Sequence, residues 1–303
     1  MKYEKWINKN IQSLDGQKIV ITGGNSGIGF ASAQYLCFLN AHVILACRSE
    51  KRAMAAIEKI KKENPKAVVD YINFDQSSFS SIDKFIYEIK DKYGKVDGFV
   101  ANAGIYHPKE NQKTEQGFSL TMGTNYIGLY YLSNHFKEFI KEKGNIVFVT
   151  SLTYKRAKIR NKGHILDDKC KPISEYANSK FAVAALFKSI LLNGYFNCYL
   201  MHPGVSNTNI VMSTQSGFSR IFQSLAKIFM PLFTHSPSKA CLGIILAFSK
   251  KSNNGSYIVP RGIFEIVGFP KIKKERCLNI DRVNEIMVDS SNIVKEVFKN
   301  ARD

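Results

Sequence analysis

Short apolar runs alternate with longer segments of helical periodicity along most of the chain. The first run, Lys18-Ile-Val-Ile-Thr22, is followed by a glycine-rich turn and a helix expected over 27–39. The second, His42-Val-Ile-Leu-Ala-Cys47, precedes a lysine-rich helix from Glu50 to Glu63. Further strands are expected over 67–73, 96–101, 145–151, 196–201 and 255–260, with a helix over 78–92 and others between the later strands. Apolar runs that alternate with helices predict βαβ units, and hence a parallel sheet covered on both faces. The expected class is therefore α/β, a doubly wound parallel sheet. No Pro/Gly-rich linker and no internal repeat interrupts the pattern, so residues 1–303 read as one domain. The least regular stretch is 207–236. It contains an apolar segment, 221–233, expected to cover a site as a lid; core packing and membrane contact stay open as alternatives.

Composition narrows the picture. The chain has 303 residues and is 45% hydrophobic, ample for a sizeable core. No apolar run approaches the ~20 residues that span a bilayer. The first ten residues lack the apolar centre of a secretory signal. The six cysteines are scattered without C-x-x-C spacing and read as reduced thiols of a cytoplasmic protein. The six histidines show no metal-ligand spacing, so no metal is expected. The formal charge of +18 invites a nucleic-acid reading. Lysine is spread along the whole chain, however, so no nucleic-acid partner is expected. Two runs are denser, 155–162 and 271–276, and weak attraction to anionic lipid or acidic metabolites is the better reading of them.

Two local patterns carry chemistry. Thr22-Gly23-Gly24-Asn25-Ser26-Gly27-Ile28-Gly29 follows a strand and opens a helix. Glycines there permit a sharp turn and close approach of backbone to a pyrophosphate, and a helix N-terminus offers N–H groups and positive dipole. Gly23, Asn25, Ser26, Gly27, Ile28 and Gly29 are thus candidate dinucleotide contacts. The second pattern is Ser174-Glu-Tyr176-Ala-Asn-Ser-Lys180. Tyrosine has a free pKa near ~10, and a lysine one helical turn away favours tyrosinate, lowering that value. The pair could give a proton to a carbonyl or take one from an alcohol. Tyr154 and Lys158 share the spacing, but they follow a strand in what reads as a loop, whereas Tyr176 opens a segment rich in helix formers. NAD binders place an acid at the end of the second strand; this chain has Ala46-Cys47-Arg48, and Arg48, with Lys51 and Arg52 in support, suits a 2′-phosphate. The expected cofactor is NADP(H), with NAD(H) the alternative.

Taken together, the glycine motif, Asn102-Ala103-Gly104, Asn125, Ser151, Tyr176-x-x-x-Lys180 and His202-Pro203-Gly204 resemble the short-chain dehydrogenase/reductase family, in that family's order and over about residues 17–260. Leu45-Ala-Cys-Arg48, the long interval from Ser151 to Tyr176, and His202-Pro-Gly-Val205 are most similar to its retinol dehydrogenase/protochlorophyllide reductase-like branch. The resemblance implies a Rossmann-type sheet of order 3-2-1-4-5-6-7 and NADP(H)-dependent interconversion of an alcohol and a carbonyl compound. It implies that Tyr176 transfers the proton and that Lys180 lowers its pKa and binds the nicotinamide ribose. Ser151 would hydrogen-bond the reacting oxygen, and Asn125 would anchor a water relay to Lys180. Asp75 would contact adenine, Asn102, Ala103 and Gly104 would line the cofactor, and Pro203, Gly204 and Thr208 would sit by the carboxamide. For Asn125, Asp75 and Pro203-Gly204, bracing, capping and turn roles stay open. The partner is expected to be a small, fairly apolar alcohol or carbonyl compound. Direction and homo-oligomeric state stay open, as does a non-catalytic, cofactor-sensing binding protein.

Overall fold

The computed structural model describes residues 2–106, 112–167, 170–205 and 236–300. Seven parallel strands and one antiparallel edge strand form a single sheet: β1 (Lys18–Thr22), β2 (His42–Cys47), β3 (Val69–Asn73), β4 (Val96–Ala101), β5 (Ile140–Val149), β6 (Asn197–Met201), β7 (Tyr257–Pro260) and β8 (Pro270–Lys273). Their order is β3-β2-β1-β4-β5-β6-β7-β8. The expected order is present, with β8 added antiparallel to β7. β8 escapes a hydropathy reading because Pro270-Lys-Ile-Lys273 is short and half lysine.

Both faces of the sheet are dry. Along β1, Ile19 and Ile21 belong to one buried cluster and Val20 to the other. That alternation is the pleat of a strand covered on both sides, which is why the sequence shows apolar runs rather than an apolar/polar alternation. Helices Gly27–Phe38 and Glu50–Glu63 cover one face; Phe79–Tyr93 and Pro172–Asn193 cover the other. Further helices outside the expected pattern complete the layers, among them Leu242–Ala247, buried throughout. Glu4–Asn10 buries Ile7, and Ile280–Asn300 buries Val283, Ile286, Ile293 and Val294. The helix expected before β5 is a broken one: Leu120–Met122, a π-helical turn Gly123–Ile127, then Gly128–Ser133 and Phe136–Phe139. β5 runs earlier than expected and stops at Val149, which leaves Thr150 and Ser151 beyond its end.

β1 lies between β2 and β4, so the chain winds outward in opposite directions on its two sides. At such a switch point the connections diverge and leave a crevice beyond the C-terminal strand ends. Among the described residues, no helix is long and apolar enough to cross a membrane.

Candidate active site

A cleft of about 550 Å³ occupies that crevice. Its floor is the glycine turn after β1. Gly23 has φ +67°, and a Cβ at Gly29 would lie 2.3 Å from the Gly23 carbonyl oxygen and 2.6 Å from Asn102 Nδ2. Only a bare Cα lets the helix start press onto the strand end. Ser26 caps helix Gly27–Phe38 without a side-chain hydrogen bond, so the first-turn N–H groups are not taken up by its hydroxyl. Thr22, the first residue of the glycine motif, ties the floor to β4. Its Oγ1 accepts from the Asn102 and Ala103 amides at 3.1 and 2.9 Å. Asn102 Nδ2 donates to the Thr22 carbonyl at 2.8 Å. Asn102 and Ala103 thereby line the cleft as part of its frame.

At one end the cleft is polar. Arg48 lines it with a side chain 66% exposed, its Nη1 3.6 Å from Asp75 Oδ2. Arg52 lines it too, and Glu50 begins the next helix, capped by Ser49. Asp75 Oδ1 accepts from the Ser77 amide and hydroxyl at 2.9 and 2.6 Å, so the residue shapes the local turn as well as facing the cleft. Cys47 also lines the cleft, but burial pushes its thiol up to about 11 and leaves it inert. Gln76, beside Asp75, donates from Nε2 to the Thr124 carbonyl at 2.6 Å, while its buried Oε1 has no partner among the described residues. An acceptor in that state fits a ligand that carries a donor. This end and the glycine floor together suit a nucleotide.

The other end holds the ionisable pair. Helix Pro172–Asn193 starts with Pro172 in its first turn and carries Tyr176 and Lys180 on successive turns. Lys180 is buried, and its Nζ donates to the Val149 carbonyl at 3.2 Å. It lies 5.9 Å from the Tyr176 ring centroid. Tyr176 packs edge-on against Tyr106 at 4.7 Å. Asn125 sits in the π-helical turn, where the widened backbone directs its amide inward. Its Oδ1 accepts from the Ile105 amide at 2.7 Å, and its Nδ2 donates to the Ile105 carbonyl at 2.9 Å and to Ser179 Oγ at 3.1 Å. A Cβ at Gly104 would stand 3.1 Å from Lys180 Nζ and 3.2 Å from Asn125 Oδ1, so the amine and the amide converge on one spot. Ser151 caps the short 3-10 helix Leu152–Arg156 and reaches Tyr176 by a hydrogen bond.

Burial is the largest influence on both ionisable groups. It raises Tyr176 to about 12, against the hydrogen bond from Ser151, and lowers Lys180 to about 8. The tyrosine thus stands in its protonated form across the neutral range.

Tyr154 and Lys158 are not in the cleft. The expected loop is a 3-10 helix, with Tyr154 fully buried and its hydroxyl donating to Glu275 Oε1 at 2.9 Å. Burial drives its pKa far above the tyrosine range. Pro203 lines the cleft, and the adjacent His202 is buried behind it. The Gly204 amide donates to His202 Nδ1 at 3.2 Å, which leaves the proton on Nε2 to donate to Glu265 Oε2 at 3.1 Å. Glu265 also accepts from Lys155 and Lys273 at 2.7 and 2.6 Å. No sequence signal marks this clasp, because the β7–β8 hairpin that carries Glu265 and Lys273 meets Lys155 and His202 only in the fold. Thr208 and all of the expected lid, 207–236, except Ser236 lie outside the described residues, the 221–233 segment included. No His/Cys/Asp/Glu group suited to a metal occurs among the described residues.

A family profile described as short chain dehydrogenase matches residues 17–217. The chain is 30% identical over 203 residues to polyprenol dehydrogenase of Homo sapiens, covering 63% of this chain and 61% of that protein. It is 28% identical over 212 residues to retinol dehydrogenase 14 of Mus musculus, covering 65% and 63%. The match thus spans about three-fifths of the length of these relatives. A crystal structure of a putative uncharacterized protein from Mycobacterium Paratuberculosis superposes with TM-score 0.72 at 23% identity, over 95% of this chain and 96% of that one.

Proposed function

This chain belongs to the short-chain dehydrogenase family, in its retinol dehydrogenase-like branch, and we propose that it is an NADP(H)-dependent oxidoreductase that interconverts an alcohol and a carbonyl compound. The observation that supports this most is the convergence of Asn125, Ser151, Tyr176 and Lys180 at one end of a cleft whose other end suits a nucleotide. The nicotinamide, when bound, supplies or accepts the hydride.

In the reducing direction Tyr176 gives its phenolic proton to the substrate oxygen. Ser151 donates a hydrogen bond to the same oxygen, where negative charge develops. Lys180, protonated, offsets the charge left on the tyrosinate. Asn125 holds the Ile105 backbone and Ser179 in place beside the amine. In the oxidising direction the same groups act in reverse. Asn25, Ser26, Gly27 and Ile28 would hold the pyrophosphate at the start of a helix, and Pro203, with Gly204 following it, would stand beside the nicotinamide. A cofactor sensor would not need the Ser151–Tyr176–Lys180 set, and this favours the enzyme reading. The apolar substrate class is in keeping with the names of the polyprenol and retinol relatives.

Preference for NADP(H) rests on Arg48 at the end of β2. Charged hydrogen bonds of this kind are worth about 1.5–3 kcal/mol each, so Arg48→Ala is expected to weaken NADPH binding about ten- to a hundredfold. NADH binding should change little. Titration of both cofactors against both proteins checks it. Tighter NADH binding by the parent, or equal losses for the two cofactors, contradicts the assignment.

A further inference from the structure

The two basic runs, 155–162 and 271–276, have no part in the proposed reaction, yet the fold brings them together. Lys155 and Lys273 both bind Glu265, and Tyr154 donates to Glu275 at 2.9 Å. Between them projects the loop that joins β7 to β8. At its tip Ile263 and Phe264 are 80% and 81% exposed, the highest values for large apolar side chains among the described residues.

The tip is held out by its backbone. Phe264 and Glu265 have φ of 53° and 60°, a left-handed conformation unfavourable for phenylalanine and glutamate. The surroundings impose it. The Glu265 carboxylate is buried under the tip and held by Lys155, Lys273 and His202. The loop is closed by Gly262 N–H to the Val267 carbonyl and Arg261 N–H to the Phe269 carbonyl, both 2.8 Å. The two apolar side chains are therefore a rigid, convex pair. Lys155 and Lys273 reach Glu265 just behind the tip, and Lys271 Nζ donates to the Arg261 carbonyl at 3.4 Å; Arg261, Lys274, Arg156, which follows Lys155, and Arg276, which follows Glu275, are exposed.

We propose that this tip is a docking element for anionic lipid bilayers, with Ile263 and Phe264 entering the interface and the basic residues resting at headgroup level. An exposed apolar pair on a hairpin rich in cations, with a second basic run held against it through Glu265, matches the apolar interior and negative surface of such a bilayer. A convex tip offers no groove in which a peptide could lie. The loop also borders the site: the Val205 amide donates to the Ile266 carbonyl at 3.0 Å, and Pro203 lines the cleft. Docking would bring the cleft close to the membrane, where apolar substrates dissolve. That last point alone rests on the proposed function; the docking itself does not.

Flotation of the full chain with phosphatidylcholine vesicles, with and without phosphatidylserine, tests the proposal without any enzyme assay. Binding is expected with phosphatidylserine and should weaken at least about tenfold without it. The double substitution Ile263→Ser with Phe264→Asn should weaken binding about tenfold or more. Asparagine accepts the left-handed backbone, so this variant should melt no lower than the parent. Phe264→Trp should give blue-shifted emission that brominated lipid quenches. No flotation with phosphatidylserine vesicles overturns the proposal, as does flotation that survives the double substitution. Loss of self-association or of oligonucleotide binding in the double variant, with no vesicle binding by the parent, would assign the tip to a second copy or to nucleic acid instead.

Discussion

At the scale of the residue, burial decides the chemistry. Lys180 sits at about 8 because its amine is enclosed. The folded value lies below the ordinary 10.5, so the ammonium form is present below about pH 8 and is lost above it. If charge on Lys180 supports the reaction, kcat/KM for NADPH, which reports the free enzyme, should fall as pH rises through about 8. A profile level to pH values well above that would separate Lys180 from the chemistry. Residue spacing alone could not rank the two tyrosine–lysine pairs. Tyr176 follows a helix start and faces the cleft, while Tyr154 is consumed by the core. The sequence signal that separated them was helical context. The sequence reading has Lys180 lowering the Tyr176 pKa; in the structure burial prevails and raises it instead, and that burial, with Tyr106 packed against the ring, is encoded by no linear pattern.

At the scale of the element, the clasp of His202, Glu265, Lys155 and Lys273 joins the end of β6, the 3-10 helix after Ser151, and the β7–β8 hairpin. Burial lowers His202 to about 4, against the pull of Glu265. Its folded pKa is below the ordinary 6.5, so the native state resists protonation; the stability this represents is whole above 6.5 and is lost as pH falls toward about 4. Burial tends to raise Glu265, but its hydrogen bonds from Lys155, Lys273 and His202 prevail and hold it at about 2. Its contribution is lost lower, between 4.5 and about 2. The melting temperature should therefore drop between pH 6.5 and 4, and His202→Asn should show a shallower slope over that interval. Equal slopes would remove His202 from the account. The strands of this region show how legibility ended. β1, β2 and β4 to β7 announce themselves as apolar runs because both faces are covered. β8 and the helix Ile280–Asn300 do not, the first being short and lysine-rich, the second amphipathic and beyond the last expected strand. The π-helical turn around Asn125 has no hydropathy signature at all.

At the scale of the whole molecule, the strand order places the glycine turn of β1 against the end of β4, and the crevice between them receives side chains from β2, β5 and β6 ends as well. This is why residues as distant as Gly23, Arg48, Tyr176 and Pro203 share one cleft. The parallel α/β class followed from the alternation of elements, and the strand order from the family resemblance; the clasp and the basic tip needed three dimensions. The central claim is that Tyr176 donates the proton at this cleft. The most direct measurement is carbonyl reduction, followed by NADPH absorbance across a panel of apolar aldehydes and ketones, for the parent, Tyr176→Phe and Tyr154→Phe, with NADPH affinity measured on each. Tyr176→Phe should keep the fold and NADPH binding while activity falls about 10²–10⁴-fold. Tyr154→Phe should melt lower, having lost a buried hydrogen bond worth about 1 kcal/mol, yet keep most of its activity. Activity retained by Tyr176→Phe, or an equal loss in both variants, would contradict the account.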